Sequence, residues 1–585
     1  MKKILKAISL IISVVLVLGL FAGCGAPQTS SVNGIELLKG DSEGIKLYNS
    51  IAASMPVLTA APSEILTKIP AGVTVITDEM LYTSGNGVTD DSILLREGIA
   101  LAAVYEKGSF VISSELKIEE SIVIPSNVSL CFRGNGKIIL GNSAYLYFEN
   151  GSQIIAGNKR IFSGAVGNLS VIADPDDPEA ALSFAVRPEW FGAVANDGLS
   201  VASDDSAAIQ TAMNFATKIY FGAGQYFVNA VLSLPSSHPV DIIGSGRNRT
   251  EFVLGGDATT YINGNGTTFG IYDMNVVQIA HFKTATFVSL TNGSVKVSAV
   301  AFHGLATGFA LTNCSNSSFE YFFSTACYVL VNLVNCNNMT FNSSLCNGNK
   351  SFLVANGSSN LSFTNSSSVW GSGTDYTFNN CHGITMNALG CDLGYDAVDT
   401  SGNLLYGHNY YSIYMEGCYD FNLKDLWCAS NSGLSYTHDI SIGVSEAYQR
   451  TGMCFIDSYK GTVSYCTITN HPVGVKVIRS HANAATAGNG ISFVGNQFVG
   501  NKFYEILLTE ANNVSFLFNN HKQMGSSDFG GGSCVEASGD LCTNISFIGD
   551  TFYSFNSSTE IRNAFPNSTL VFDSIMNAKT GLPMA

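Results

Sequence analysis

Apolar side chains recur along this chain at a period of two residues and again at a period of 22 residues. Pairs of mostly apolar residues, two positions apart, repeat through residues 293–363: Val295/Val297, Ser317/Phe319, Met339/Phe341 and Leu361/Phe363. A second set of pairs lies between them, and a small residue follows each second pair: Phe309/Leu311 with Cys314, Val331/Leu333 with Cys336, and Phe352/Val354 with Gly357. Alternation at period two predicts β-strands. Self-similarity at a fixed period of this length predicts a repeat architecture.

The repeats predict an all-β solenoid of the parallel β-helix type. Each unit holds two or more short strands joined by Asn, Ser and Gly turns, without a segment of helix length. A coil of this kind pairs its backbone with the next coil about 4.8 Å away, so that equivalent side chains stack. We therefore expect Phe341 and Phe363 to point inward and to stack on successive coils.

The spacing of the cysteines follows the same repeat. The chain has 14 cysteines. We call the second residue of the first apolar pair in each repeat its anchor. One set of cysteines lies five residues before an anchor, and another lies five residues after one: Cys314, Cys336, Cys381 and Cys418, then Cys346, Cys391 and Cys428. Because equivalent positions stack, the spacing favours ladders of small buried thiols, with disulfides between stacked pairs as the alternative. These separations do not fit a CxxC-type metal site.

The N-terminus has the features of an export signal. Lys2, Lys3 and Lys6 precede an apolar run over residues 8–22, shorter than the ~20 apolar residues that a spanning helix needs. Phe21-Ala-Gly-Cys24 resembles a bacterial lipobox. We expect a lipoprotein signal peptide over residues 1–23, lipidation at Cys24, and an exported lipoprotein at the cell surface or membrane. The alternative is an ordinary signal peptide with a chance cysteine.

The composition of the chain argues against some classes of binding partner. The formal net charge is −16, with 46% hydrophobic and 13% charged residues. An acidic surface argues against nucleic acid and against anionic lipid, so contact with a membrane is expected only through the lipid anchor. A chain of 585 residues is also too long for one compact core. A solenoid removes this difficulty because it grows by adding coils.

Two copies of one motif precede the repeats. Residues 85–91 end in Asp90-Asp91 and open a helix-like run, and residues 190–210 contain Asp204-Asp205 before a second such run. The segment 189–228 resembles the opening of the pectate-lyase-like superfamily, which includes polygalacturonase-related and phage tailspike-related proteins. The resemblance implies a right-handed parallel β-helix with an N-terminal capping helix over residues 188–575. In that family such aspartates are fold elements, so we interpret all four as helix-capping rather than catalytic residues.

The first copy predicts a smaller β-helical head over residues 81–187. We expect its strands near Val111, at 122–124 and at 128–132. A proline-marked joint at residues 174–188 separates the head from the main β-helix. Residues 24–80 are interpreted as a tether and a weakly patterned segment.

Charge and extra chain length enter the repeats at the same place. Between Glu320 and Thr374 there is no carboxylate, whereas acidic residues recur from Asp375 onward. The anchors Met386, Leu423 and Tyr465 are 37 and 42 residues apart, against 22 or 23 before. The extra residues fall at about 391–411 and 429–451, each after a first strand and before a second. We therefore predict two loops at the same turn of adjacent coils, lying side by side.

These two loops hold the candidate site. Carboxylates serve proton transfer, and aromatic rings stack on pyranose faces. Asp399 and Asp439 are expected to form an acid–base pair, with Arg450 orienting an acid or a sugar oxygen. The alternative is that these side chains pack against the flank of the solenoid or mark turns. The predicted catalytic residues are Asp396, Asp399 and Asp439, and the predicted substrate-binding residues are His408, Tyr410, His438, Tyr448 and Arg450.

The resemblance implies a polysaccharide as partner, but known enzyme motifs are missing. After Asp205 there is neither an Asn-Thr-Asp triplet nor a pair of adjacent aspartates of the polygalacturonase kind, and after Arg249 only three arginines are available to a lyase. One hypothesis is a glycan-cleaving enzyme, a glycoside hydrolase rather than a polysaccharide lyase. A metal ion, Ca²⁺, is expected only for a lyase. The other hypothesis is a non-catalytic surface adhesin or cell-envelope scaffold.

Overall fold

The computed structural model describes most of the chain after residue 74. The described residues are 75–172, 185–196, 203–256, 258–278, 285–371, 373–393, 411–430, 451–479, 490–501, 504–523, 535–538, 542–554, 561–563, 570–573, 576–577 and 582–583. Backbone contacts divide the chain into two compact units, Met1–Ser245 and Gly246–Ala585. The predicted domain boundaries at residues 23, 80 and 187 stay predictions.

The N-terminal unit begins with a small three-sheet coil of parallel strands. This arrangement matches the predicted head, since the strands expected near Val111, at 122–124 and at 128–132 are present. Two sheets have the strand orders β1-β3-β6-β9 and β10-β7-β4-β2, and the third has β11-β8-β5. The strands are β1 (Val75–Thr77), β2 (Asn86–Asp90), β3 (Gly108–Ile112), β4 (Glu115–Ile118), β5 (Ile122–Ile124), β6 (Val128–Phe132), β7 (Lys137–Leu140), β8 (Leu146–Glu149), β9 (Gln153–Ile155), β10 (Phe162–Gly164) and β11 (Leu169–Ile172).

Two α-helices follow the two copies of the aspartate motif. Helix α1 spans Ser92–Ala103, and helix α2 spans Ser206–Phe215. Short 3₁₀ segments, Asp78–Leu81 and Pro188–Phe191, precede them. The remaining strands of this unit are β12 (Ala185–Val186), β13 (Lys218–Tyr220), β14 (Gly224–Val228), β15 (Leu232–Ser233) and β16 (Val240–Ile243).

The two aspartates of each pair have different hydrogen-bond partners, and the difference is similar in both copies of the motif. Asp90 and Asp204 each accept a hydrogen bond from the first helical N–H, at 3.0 and 3.1 Å, so their predicted capping role is confirmed. For Asp91 and Asp205 the predicted bond to the helix is wrong. The Asp205 carboxylate instead accepts from the Val194 and Phe227 N–H groups, both at 2.9 Å, and Asp91 accepts from the Ser84 N–H at 2.7 Å. Asp91 therefore ties the start of α1 to the preceding loop, and Asp205 ties the start of α2 to the preceding loop and to strand β14.

The C-terminal unit is a parallel β-helix. Each coil contributes one strand to each of three sheets, here called the first, second and third sheet in chain order. The first sheet contains β17 (Thr250–Leu254), β20 (Asn275–Gln278), β23 (Ala301–His303), β26 (Phe323–Thr325), β29 (Leu345–Asn347), β32 (Ser367–Gly371), β35 (Gly390–Leu393), β38 (Trp427–Ser430), β41 (Thr467–Thr469), β44 (Gln497–Val499), β47 (Asn520–Gln523), β50 (Thr551–Ser554), β53 (Met576–Asn577) and the antiparallel β54 (Leu582–Pro583).

The other two sheets repeat the same order. The second sheet contains β18 (Thr260–Asn265), β21 (Thr286–Thr291), β24 (Thr307–Thr312), β27 (Val329–Val334), β30 (Ser351–Asn356), β33 (Tyr376–Asn379), β36 (Tyr411–Glu416), β39 (Thr451–Ile456), β42 (Val473–Ile478), β45 (Tyr504–Thr509), β48 (Val535–Ser538) and β51 (Ile561–Asn563). The third sheet contains β19 (Thr268–Tyr272), β22 (Ser294–Ser298), β25 (Ser315–Glu320), β28 (Asn337–Asn342), β31 (Ser359–Thr364), β34 (His382–Asn387), β37 (Tyr419–Lys424), β40 (Tyr459–Ser464), β43 (Ile491–Val494), β46 (Asn512–Leu517), β49 (Thr543–Ile548) and β52 (Leu570–Asp573).

The predicted inward stack of phenylalanines is confirmed. Phe319, Phe341 and Phe363 are buried and in register on β25, β28 and β31. Their rings stack with centroid separations of 4.9 and 4.7 Å. Phe352 closes the core from the second sheet, with its ring centroid 5.7 Å from that of Phe341 in an edge-to-face contact.

Three details of the predicted register are wrong. The pair that continues Val331/Leu333 is Leu353/Ala355, not Phe352/Val354. The small turn residue equivalent to Cys336 is Ser358, whose hydroxyl accepts a hydrogen bond from the Cys336 N–H at 3.0 Å, rather than Gly357. The partner of Leu423 is Val463, not Tyr465. In each case several consecutive residues near the strand end are apolar or small, so the pattern fits two registers.

The cysteines of the described residues are free thiols, and all but Cys131 are buried. Cys391 and Cys428 lie in register on neighbouring strands, as the predicted ladder requires. The thiols of Cys314 and Cys336 each donate to a backbone carbonyl oxygen of the preceding coil at 3.3 Å. The interpretation as buried thiols is thus confirmed for these residues, because a small, weakly donating side chain fits a crowded turn. Among the described residues, no helix is long and apolar enough to cross a membrane.

Candidate functional site

The two long insertions start and end at the same turn of adjacent coils. Strand β35 ends at Leu393 and β36 begins at Tyr411, while β38 ends at Ser430 and β39 begins at Thr451. Leu393 is in register with Ser430, and Tyr411 is in register with Thr451. The ends of both insertions therefore lie on neighbouring strands, at the turn between the first and second sheets that was predicted; that the two loops lie side by side stays a prediction. We call this place the first turn.

The predicted site residues lie outside the described residues, since residues 394–410 and 431–450 are not described. This applies to the following residues: Asp396, Asp399, His408, Tyr410, His438, Asp439, Tyr448 and Arg450. Cys24 also lies outside the described part. The predicted loop limits need one correction, because Asp392 belongs to strand β35 and Tyr411 to strand β36.

Asp392 and Trp427 lie on the outer face of the first sheet, next to the insertions. Their strand neighbours Cys391 and Cys428 are buried, so alternation along a strand turns Asp392 and Trp427 outward. Burial raises the pKa of the half-buried Asp392. Trp427 is 50% exposed. The outer face of the first sheet thus carries an exposed indole and a half-buried carboxyl group on neighbouring strands, and both are side-chain types that carbohydrate sites use.

The second sheet contributes two tyrosines and a carboxylate on β36. The rings of Tyr411 and Tyr414 have centroids 5.1 Å apart. The Tyr414 hydroxyl donates to Glu416 Oε2 at 2.8 Å. Burial raises the pKa of Tyr414, and the hydrogen bond to Glu416 raises it further. The phenol is therefore neutral at ordinary pH and suited to hydrogen bonding and stacking rather than to proton abstraction.

A buried carboxyl group lies inside the coil near the same turn. The Ser368 hydroxyl donates to Asp375 Oδ1 at 2.6 Å, and Asp375 is fully enclosed. Burial raises the pKa of Asp375 to about 8, and the nearby charge of Asp392 contributes in the same direction. Asp375 is thus protonated at neutral pH and belongs to the core.

Replacing Asp375 by Asn is expected to flatten the dependence of stability on pH. In the unfolded chain an aspartate titrates near ~3.9, so from about pH 4 to about pH 8 only the folded state holds this proton. Stability therefore falls as pH rises through this interval. Glu505, whose pKa burial raises to about 8, acts in the same sense. Melting temperatures at a series of pH values test this.

In that series Asp375→Asn should lose part of the wild-type slope, and Asp375→Asn with Glu505→Gln should lose more. Asp420→Asn, which changes an exposed carboxylate on β37, is the matched control and should leave the slope unchanged. A double variant with the full wild-type slope would contradict the assignment of these two protons.

Asp392, Trp427 and Glu416 were not singled out as site residues from the sequence. The repeat contained the necessary signal, because Asp392 and Trp427 stand six and four residues after the anchors Met386 and Leu423. Those offsets are on the outward face of the first sheet. Within the described part of the chain, no group of three or more His, Cys, Asp or Glu residues is placed to hold a metal ion.

Solved structures with a similar fold include proteins of several kinds. Tailspike protein 3 of bacteriophage CBA120 is 14% identical with a TM-score of 0.40, over 68% of this chain and 62% of the tailspike chain. The catalytic unit of an α-1,3-glucanase from Streptomyces thermodiastaticus is 10% identical with a TM-score of 0.43, over 67% of this chain and 69% of that one. A periplasmic alginate epimerase is 8% identical with a TM-score of 0.38, over 62% of this chain and 77% of that one.

The chain has the parallel β-helix fold. Its own sheets decide this, and it agrees with the predicted likeness to the pectate-lyase-like superfamily. No protein-family model matches the sequence, and no curated sequence matches it. At these identities and TM-scores, the structural likenesses concern the fold and carry no argument about activity.

Proposed function

We propose that this protein is an exported, lipid-anchored surface protein that binds a polysaccharide at the first turn and cleaves a glycosidic bond there. One observation carries the proposal. Two insertions of adjacent coils are rooted side by side, with Leu393 in register with Ser430 and Tyr411 with Thr451. Closing a coil does not require this length, because earlier coils close in 22 residues. Long loops on a rigid scaffold commonly carry function.

The residues around these roots suit a carbohydrate ligand. Trp427 offers an exposed aromatic face on one side, and Tyr411 and Tyr414 offer phenol rings on the other. The carboxylates that would transfer protons are Asp399 and Asp439, with Asp396 in the same insertion as Asp399 and Arg450 in the same insertion as Asp439. Asp392, at the root of the first insertion, is a further acid whose raised pKa suits proton donation.

Hydrolysis is favoured over elimination by charge. A lyase must neutralise the carboxylate of a uronic acid, whereas a chain of net charge −16 repels a polyanion. Hydrolysis needs two carboxyl groups about 5–5.5 Å apart for retention or about 6.5–9.5 Å apart for inversion. A glycan panel tests the proposal when reducing ends and unsaturated products are scored separately. New reducing ends without unsaturation are expected, and no turnover of any glycan would contradict it.

The anchor is tested separately from the activity. Cys24→Ala should leave the protein unlipidated and release it from the membrane fraction, because the proposed lipid is its membrane contact. Cys131→Ala, at the partly exposed thiol in the N-terminal unit, should stay in the membrane fraction and serves as the control. Fractionation with lipid labelling measures both. Full labelling and retention of the Cys24 variant would refute the anchor.

The alternative function is a non-catalytic adhesin or scaffold. It is favoured by the charge-poor coils between Glu320 and Thr374, where asparagine side chains hydrogen-bond from coil to coil, as Asn360 does to Asn337 at 2.8 Å. Such coils form a rigid rod that has no carboxylates for acid–base catalysis. Binding of a glycan without turnover would favour this alternative.

A further inference from the structure

The turn between the third and first sheets carries aromatic residues in an unusual backbone conformation. We call it the third turn, and its equivalent positions include Tyr321, Tyr465 and Phe518. Their φ angles are 52°, 55° and 56°. A bulky residue in this left-handed region is a genuine outlier, whereas Gly and Asn adopt it readily. Gly495 and Gly549 occupy the same position on neighbouring coils with φ angles of 65° and 69°.

These aromatic residues are also largely exposed. Tyr465 is 61% exposed, Phe518 is 69% exposed and Tyr321 is 58% exposed. Their rings therefore add little to the core, although their backbone conformation is costly. Strain and exposure together make such a ring a candidate for a role outside the core. Tyr465 and Phe518 differ from Tyr321 because each has the other ring two coil steps away.

Tyr465 and Phe518 each lie against a glycine of the next coil. A Cβ atom placed on Gly495 would be 3.0 Å from Tyr465 Cε1, and one on Gly549 would be 2.6 Å from Phe518 Cδ1. A side chain at either position would therefore meet the Cδ1–Cε1 edge of the ring. The glycines leave room for both exposed rings at the edge of the solenoid.

The two rings are spaced along the solenoid axis. Tyr465 and Phe518 are separated by two coil steps, from Ser464 to Val494 and from Val494 to Leu517 in the preceding strands. With neighbouring strands 4.7–4.9 Å apart, this places the rings roughly 9.5 Å apart along the axis. That distance is comparable to a disaccharide repeat of an extended polysaccharide.

We propose that Tyr465 and Phe518 form a second glycan-binding strip, which takes a neutral polysaccharide lying along the third turn. Exposed aromatic rings stack on the apolar faces of pyranose units. The neighbouring third-turn residue on the preceding coil is the exposed Asp425, and the whole chain has a formal charge of −16. Both features disfavour a polyuronate at this edge. The strip is distinct from the first turn, and its occupation requires no bond cleavage.

The test uses asparagine, which keeps the left-handed backbone and removes the ring. In native gels containing soluble neutral polysaccharides (a glucan, a mannan and a xylan in turn), the wild type should be retarded by at least one. Tyr465→Asn and Phe518→Asn should each weaken that affinity about 3- to 10-fold, and the double variant should weaken it further. Melting temperatures should equal or exceed that of the wild type, because strain is relieved.

Tyr321→Asn is the matched control. It removes an equally exposed ring from the same turn, five coil steps before Tyr465, and should leave retardation unchanged. Retardation by polygalacturonate alone, no retardation by any neutral polymer, or equal losses in Tyr321→Asn and Tyr465→Asn would each overturn the strip. Retardation of Asp399→Asn is measured in the same gels. If this variant is still retarded but no longer cleaves the glycan, binding at the strip does not depend on the first-turn site. Failure of the strip can then be told from failure of the first-turn site.

Discussion

Replacing Phe341 with alanine is expected to lower the free energy of unfolding by about 3–5 kcal/mol. The ring is buried between Phe319 and Phe363, with centroids 4.9 and 4.7 Å away, and Phe352 meets it edge-on. Removing it leaves a cavity bounded by coils on both sides. These coils are fixed by their own backbone ladders and cannot collapse into the space. Urea denaturation followed by circular dichroism measures the loss.

Two further variants make this result specific. Phe341→Leu keeps most of the volume and should cost less than about 1.5 kcal/mol. Tyr321→Ala removes an exposed ring and should cost far less than Phe341→Ala. A loss below about 1 kcal/mol in Phe341→Ala would contradict the role of this stack in the core.

The second large effect concerns turnover. Asp399→Asn and Asp439→Asn should each reduce glycan cleavage by about 100-fold or more, because general acid–base catalysis contributes at least that much. Melting temperatures should barely change, since loop carboxylates add little to a solenoid core. Rates on the substrate identified by the glycan panel, with the melting temperature of each variant, check both expectations.

Asp392→Asn and Asp420→Asn complete this set. Asp392 stands at the root of the first insertion, and its variant decides whether an acid of the strand also takes part. Asp420, exposed on β37 of the third sheet, is away from the first turn and should be silent. Turnover retained in both Asp399→Asn and Asp439→Asn, with a melting loss as large as that of Phe341→Ala, would assign those residues a structural role and favour the rod.

The repeat could be predicted from the sequence because period-two alternation and a 22-residue spacing are local features of the chain. Val297, Phe319, Phe341 and Phe363 could be aligned from spacing alone, and the pairing of β22, β25, β28 and β31 follows that alignment. The position of the two insertions was also readable. Extra length between two recognisable strands must leave and rejoin the coil at that turn.

The exact register at the strand ends could not be predicted from the sequence. Residues 351–355 are all small or apolar, so pattern alone does not choose between Phe352/Val354 and Leu353/Ala355. The hydrogen-bond ladder with the preceding coil chooses the second pair, because Val331 faces Leu353. The same holds for Tyr465, which lies two residues beyond the true anchor Val463.

The sequence by itself therefore determined the coil, its inward stacks, its thiol ladders and the turn that carries the insertions. Tertiary structure alone decided which outward residues share one face of the solenoid, including Asp392 and Trp427 near the roots and Tyr465 and Phe518 two coil steps apart along the third turn. Inward positions must be apolar on every coil, so they repeat along the chain and can be recognised from the sequence. Outward positions are free to vary, and a functional residue among them becomes visible only when register sets it beside its neighbours on the next coil.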